Sequence, residues 1–216
     1  MENDKQIVCI EQLSLTIGKE TLLKNINLSF EQGKIYGIIG RNGSGKTLLF
    51  KCVCGYIKPT TGRIIVNGKE IGKKIDFPDN TGMIIETPGF IASDSGFTNL
   101  KHLADIRKRI DNNRIRESME SVGLDPDNKK AVKKYSLGMR QRLGLAQAIM
   151  ENPILLVLDE PMNGLDNEGV EDMRRYLLQW KAEGKTILLA SHNKEDIQLL
   201  CDTVYEMNKG ELYQMN

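Results

Sequence analysis

Gly40-Arg41-Asn42-Gly43-Ser44-Gly45-Lys46-Thr47 follows the apolar run Ile35–Ile39 and precedes Leu48, Leu49, Cys52 and Val53, whose spacing is helical. A glycine-rich G-x₄-G-K-[ST] segment set between a strand and a helix is the context that distinguishes a phosphate-binding loop from a chance match. Gly40, Gly43 and Gly45 let the backbone turn tightly and aim N–H groups at phosphate oxygens, and the helix starting near Lys46 offers its positive dipole end. Lys46 is expected at the β- and γ-phosphates and Thr47 at a magnesium ion. The expected ligand of Gly40 to Thr47, Arg41, Asn42 and Ser44 included, is ATP with Mg²⁺.

Working outward, Ile7 to Ile10 and the alternating Ile26, Leu28 and Phe30 predict strands of an antiparallel sheet. Ile64 to Val66 predicts another, and Asn67-Gly68 supplies a tight hairpin into a return strand at Lys69 to Ile71. Between Thr87 and Tyr135 the pattern turns helical: Leu100, Leu103, Ile106 and Ile110 are expected on one face, and Ile115, Met119 and Val122 on another. From Ser136 the order is helix, strand (Ile154 to Leu158), helix (about Glu168 to Glu183, closed by Gly184), strand (Thr186 to Ala190), helix. The expected fold is α/β: a P-loop NTPase core with a mainly parallel sheet, an antiparallel β subdomain and a helical insertion. One domain over 1–216 is expected, with a helical subdomain at about 87–135 inserted in it.

The strand Ile154 to Leu158 runs into Asp159 and Glu160, two carboxylates at its C-terminal edge, where open α/β sheets place their ligands. Asp159 is the candidate magnesium ligand. Glu160 is the candidate that orients or deprotonates the water attacking the γ-phosphate.

Composition limits the partners. With 30 Lys and Arg against 29 Asp and Glu, the formal charge of +1 provides no field to attract a polyanion, so no nucleic-acid partner is expected. No run approaches the roughly 18 apolar residues that a spanning helix needs. The polar start MENDKQIV lacks the pattern of a secretory signal, which predicts a cytosolic protein. Cys9, Cys52, Cys54 and Cys201 lack zinc-site spacing and are expected as reduced, mostly buried thiols. The basic cluster Lys129, Lys130, Lys133 and Lys134 reads as a solvated face.

Tyr135-Ser136-Leu137-Gly138-Met139-Arg140-Gln141-Arg142 resembles the signature motif, usually L-S-G-G-Q, of the ATP-binding cassette ATPases, and the resemblance extends over essentially the whole chain. It implies two cassettes meeting head to tail, Ser136 and Gly138 of one touching the γ-phosphate held by Lys46 of the other; a hydroxyl and an N–H at a helix start suit an anion. Asn163-Gly164-Leu165-Asp166 resembles the family's D-loop at the dimer seam, which brings Asp166 toward the nucleotide. His192, just beyond the strand Thr186 to Ala190, resembles its switch histidine at the γ-phosphate.

This chain also departs from the family pattern. Leu137 replaces a glycine and Met139 the glutamine of the signature. Glu86, in M-I-I-E-T-P, stands where the family carries its Q-loop glutamine, and is a candidate metal ligand that adds negative charge near Glu160. Ile17 falls where an aromatic ring usually stacks on adenine. The Glu86 and S-L-G-M-x-Q-R combination is similar to cassettes of bacteriocin, lantibiotic and bacitracin exporters and immunity systems.

The resemblance implies an ATP-hydrolysing subunit of a membrane transporter, an exporter of peptide-antibiotic or drug type, peripheral on the inner face of the cell membrane. Its partners would be a separately encoded permease and a second ATPase subunit, identical or not. By family analogy the permease would rest in a groove beside Glu86 to Phe97, on Phe90, Ile91 and Phe97. The alternative is a soluble cassette protein of translation or repair. Those resemble tandem cassettes or carry zinc modules or long coiled-coil insertions, which this sequence lacks.

Overall fold

The computed structural model describes residues 6–86 and 88–215. The stretch 1–5, Thr87 (where the sequence pattern starts the helical insertion) and Asn216 lie outside the described residues. The chain begins with a long hairpin, β1 (Gln6–Ile17) and β2 (Glu20–Glu31), and continues through β3 (Ile35–Ile39), α1 (Lys46–Val53), β4 (Thr61–Val66), β5 (Lys69–Glu70) and β6 (Thr81–Ile84). Helices α2 (Gly96–Arg107), α3 (Asn112–Glu120) and α4 (Leu137–Ile149) follow, with a single 3₁₀ turn at Val132–Lys134 between the last two. The remainder is β7 (Leu155–Asp159), α5 (Asn167–Ala182), β8 (Thr186–Ala190), α6 (Lys194–Leu200) and the hairpin β9 (Thr203–Asn208) and β10 (Glu211–Gln214).

Two sheets result. Strands β2-β1-β4-β5 form an antiparallel sheet, and β10-β9-β3-β8-β7-β6 form a six-stranded one. In the larger sheet β9, β3, β8, β7 and β6 run parallel and β10 pairs antiparallel at the edge. Every residue of β7 and β8 is buried, as expected of strands covered on both faces.

Because side chains alternate along a strand, these two strands feed two separate cores. Leu156, Leu158, Ile187 and Leu189 join the helices α2 to α6, including Met173, Leu177 and Trp180 of α5. Leu155, Val157, Leu188 and Ala190 face α1 and the antiparallel sheet, where Leu49, Phe50, Phe30 and Val8 pack. Each such buried Leu, Ile, Val, Met or Phe side chain contributes about 1.5–3 kcal/mol by removal from water. The architecture is thus mixed α/β, with a mainly parallel sheet, an antiparallel sheet and helices, as the sequence pattern predicts.

The differences have local causes. Ile106 is 77% exposed, and the buried side of α2 is Leu100 and Ala104 with Leu103 partly buried. A residue six positions on from Leu100 lies about 120° round the helix from it, off the core stripe. Ile110 lies beyond α2, which stops where Lys108 takes a left-handed conformation (φ 51°). Strand β6 and the hairpin β9–β10 are absent from the sequence reading. The turn Lys209-Gly210 of that hairpin matters to the site, because the Gly210 N–H donates to the Ser44 carbonyl at 3.0 Å.

Candidate active site

Four parallel strands end on one edge of the larger sheet in the order β3, β8, β7, β6. At or just past their C-termini come, in the same order, Gly40, His192, the Asp159–Glu160 pair and Glu86. Residues spread over more than half the chain therefore meet through strand register alone, at the edge where α/β sheets bind ligands.

The loop 40–47 leads into α1. A Cβ placed on Gly40, whose φ is +149°, would lie 2.4 Å from the Met207 carbonyl oxygen, so the tight passage of the loop beside β9 requires glycine. Helices α2 to α6 are each N-capped by a side chain: Ser95, Asp111, Ser136, Asp166 and Asn193. Helix α1 starts on Gly45 without one, which leaves its first N–H groups available to an anion. The buried Lys46 Nζ lies back on the loop, donating to the Gly40 carbonyl at 2.9 Å, and is 4.0 Å from Glu160 Oε1.

Thr47 Oγ1 donates to Asp159 Oδ2 at 2.6 Å, joining the start of α1 to the end of β7. Asp159 Oδ1 and Ser44 Oγ are buried without a hydrogen-bond partner. A buried carboxylate oxygen with no donor is costly on its own, and the Thr47 hydroxyl bonded to the same carboxylate completes an oxygen donor set suited to a hard cation shared with phosphates. Among the described residues no group of three or more His, Cys, Asp and Glu is arranged to hold a metal. One carboxylate and one hydroxyl fit Mg²⁺, which takes most of its ligands from water and phosphate. Burial pushes the Asp159 carboxyl above the ordinary value; the Thr47 hydroxyl opposes this, and the charges of Glu160 and Glu86 add to it.

Glu160 follows directly. Its backbone is left-handed (φ 51°), its N–H donates to the Ala190 carbonyl at 3.0 Å, and its Oε2 lies 2.8 Å from His192 Nδ1. Glu86 is also left-handed (φ 60°) and pairs with Lys51 of α1 at 2.7 Å. Two carboxylates held in a sparsely populated conformation at one sheet edge fit the observation that backbone strain gathers at functional sites.

A cavity of about 540 Å³ lies over these residues, walled by Asn42 to Leu48, Glu86, Pro88, Asp159 and Glu160. Leu137, Arg140, Gln141, Asn163 and Gly164 complete it. Ser136, Gly138 and Asp166 are not part of its wall; the Ser136 hydroxyl caps α4 and the Asp166 carboxylate caps α5. Gly40 and Arg41 form the loop's entry, and His192 reaches the site through Glu160. The sequence reading missed Arg140 and Gln141, although their i, i+3 and i, i+4 spacing from Leu137 was visible; Gln141 donates to the Pro161 carbonyl at 2.7 Å. Leu137 lies over Gly164, where a Cβ would come within 2.3 Å of its Cδ2, so the leucine of the altered signature rests on the segment after Glu160.

Away from the loop, Phe90 and Phe97 pack against the helical core and only Ile91 of the expected groove residues is exposed. Ile17, at the end of β1, is 54% exposed. Cys52, Cys54 and Cys201 are buried or partly buried thiols pushed up to about 12 by burial, and all four cysteines are free. No helix among the described residues is long and apolar enough to cross a membrane.

The family model described as ABC transporter matches residues 23–163. The uncharacterized ABC transporter ATP-binding protein YybJ of Bacillus subtilis is 49% identical over 205 residues, covering 94% of this chain and 94% of that protein. The bacitracin transport ATP-binding protein BcrA of Enterococcus faecalis is 39% identical over 210 residues, covering 96% of this chain and 68% of that one. The structure of cbiO1 from Clostridium perfringens, described as part of the ABC transporter complex cbiONQ, superposes with a TM-score of 0.84 at 27% identity, covering 99% of this chain and 89% of that one. These similarities do not favour a role in translation or repair. A glycine-rich loop before an uncapped helix start, a paired-carboxylate strand end and this set of relatives together mean that the chain belongs to the ABC transporter family, as an ATP-binding subunit whose expected activity is ATP hydrolysis coupled to transport.

Proposed function

We propose that this chain binds ATP with Mg²⁺ at the edge formed by β3, β8, β7 and β6, and that it drives an exporter of peptide-antibiotic or drug type. The observation that carries the nucleotide site is the 2.6 Å Thr47–Asp159 bond beside an unpartnered Asp159 oxygen. In this reading Lys46 leaves the Gly40 carbonyl for the β- and γ-phosphates, while N–H groups of residues 40–47 and the uncapped start of α1 hold the remaining phosphate oxygens. Thr47, Asp159 and Glu86 would hold Mg²⁺, which when bound neutralises charge on the phosphates. Glu160 positions the attacking water and accepts its proton, with His192 at 2.8 Å holding the carboxylate in place.

Ser136, Gly138 and Asp166 act on the nucleotide of a second cassette in this account. Their position outside the cavity wall of their own chain supports that division of labour. Two cassettes close on ATP and reopen after hydrolysis, and the helical segment at about 87–135 passes the motion to a membrane permease. The chain would then lie at the inner face of the membrane. The exporter type rests on the similarity to a bacitracin transport cassette together with Glu86 in place of the Q-loop glutamine.

The test uses the purified chain and membranes carrying its permease. Lys46→Ala should abolish ATP binding while leaving sedimentation with those membranes intact, and Ile91→Asp should do the reverse. Unchanged ATP affinity in Lys46→Ala would refute the site. Unchanged sedimentation in Ile91→Asp would refute the docking surface.

A further inference from the structure

Glu86 belongs to two cavities. It lines the nucleotide cavity, and it also lines a second one of about 490 Å³, whose wall includes Lys51, Tyr56 and Pro88. Its carboxylate does not point at Thr47 and Asp159 as their partner; Oε1 accepts from Lys51 Nζ at 2.7 Å. Lys51 follows Thr47 by four residues on α1, so the two side chains share a helix face one turn apart.

From this geometry we propose that Lys51 is the resting counter-ion of Glu86 and competes with the nucleotide-bound metal for its carboxylate. The proposal rests on the reading of Glu86 as a metal ligand. A neutral amide at position 86 would accept from the Lys51 ammonium without the attraction between opposite full charges, a weaker hold, so the competition is a consequence of the glutamate. Each encounter with a metal–nucleotide complex breaks the Lys51–Glu86 pair and frees the ammonium at the wall of the second cavity. Lys51 is thus a positioning residue: it sets how readily Glu86 turns toward Thr47 and Asp159.

The measurement is the affinity for a non-hydrolysable ATP analogue in excess MgCl₂ divided by that in excess EDTA, by titration calorimetry on the full chain. Lys51→Met should raise this ratio about two- to fivefold, the scale of a partly exposed ion pair. Lys51→Arg should leave it near the wild-type value, and Glu86→Gln should lower it. In a Glu86→Gln background Lys51→Met should have no effect, because the partner it releases is gone. An unchanged ratio in Lys51→Met, or an equal rise in the Glu86→Gln background, overturns the proposal, as does a Glu86→Gln ratio equal to wild type. The nucleotide site itself fails only if the wild-type chain binds no analogue.

Discussion

Glu160 is held between two nitrogen groups: its Oε2 lies 2.8 Å from His192 Nδ1 and its Oε1 4.0 Å from the Lys46 ammonium. The histidine follows the neighbouring strand β8, so the orientation of the carboxylate depends on two strand ends at once. His192→Ala should lower kcat by about 10²-fold, the lower end of what a well-placed proton-transfer group contributes. Nucleotide affinity should stay within about threefold, since the imidazole is not part of the cavity wall. Steady-state phosphate release with parallel binding titrations checks the split, and equal losses in both would assign His192 to binding.

The raised carboxyl of Asp159 ties stability to pH. A group whose folded pKa lies above its unfolded one stabilises the fold below the ordinary carboxylate range, and that contribution is lost as pH rises through the raised value. In nucleotide-free protein, Asp159→Asn should therefore gain stability relative to wild type as pH increases from about 4 to 8. The same substitution should reduce the Mg²⁺-dependent gain in nucleotide affinity more than about tenfold, through loss of a charged ligand. Urea unfolding at several pH values checks the first part. A constant stability difference across that range would contradict it.

The loop that carries His192 is anchored by a buried ion pair. Both Arg174 Nε and Nη2, on α5, donate to Asp196 Oδ1 on α6, at 2.8 and 2.6 Å, and the Asp196 side chain is 2% exposed. Asp196→Ala removes the main partner of Arg174 but leaves Glu171 at 2.7 Å and Glu195 at 3.4 Å, so it should cost about 1.5–3 kcal/mol in chemical denaturation, the scale of hydrogen bonds to a charged group. A loss below about 1 kcal/mol would show that the pair is solvated in solution.

Ile17 offers a base no ring to stack on. The wild-type chain should bind ATP and GTP with affinities within about threefold of one another. Ile17→Tyr should tighten both by roughly fivefold, corresponding to about 1 kcal/mol of stacking. A strong preference of the wild-type chain for ATP would place base recognition elsewhere.

The parts of this molecule that could be read in advance are those with a local signature. Gly40 to Thr47 carries its turn chemistry in consecutive residues, and Leu155–Asp159 is a short, wholly apolar run ending in carboxylates. The hairpin β9–β10 went unread although Tyr205, Glu206, Met207 and Asn208 alternate between buried and exposed, because that alternating run is only four residues long, the shortest that signals a strand. Ile106 was misassigned because six positions along a helix return to neither the same face nor the opposite one. The Lys51–Glu86 pair has no pattern at all: it joins the second turn of α1 to the residues after β6 and exists only once β3 and β6 stand in the same sheet.

The central claim is that Glu160 performs the hydrolytic step in a site completed by a second cassette. Glu160→Gln keeps the size of the side chain and a hydrogen bond to His192 while removing the proton acceptor. Light scattering of this variant with ATP and Mg²⁺, alongside phosphate release, should show a stable nucleotide-bound dimer and turnover reduced by at least about 10²-fold. Near-normal phosphate release from Glu160→Gln, or a variant that stays monomeric with ATP bound, would contradict the account.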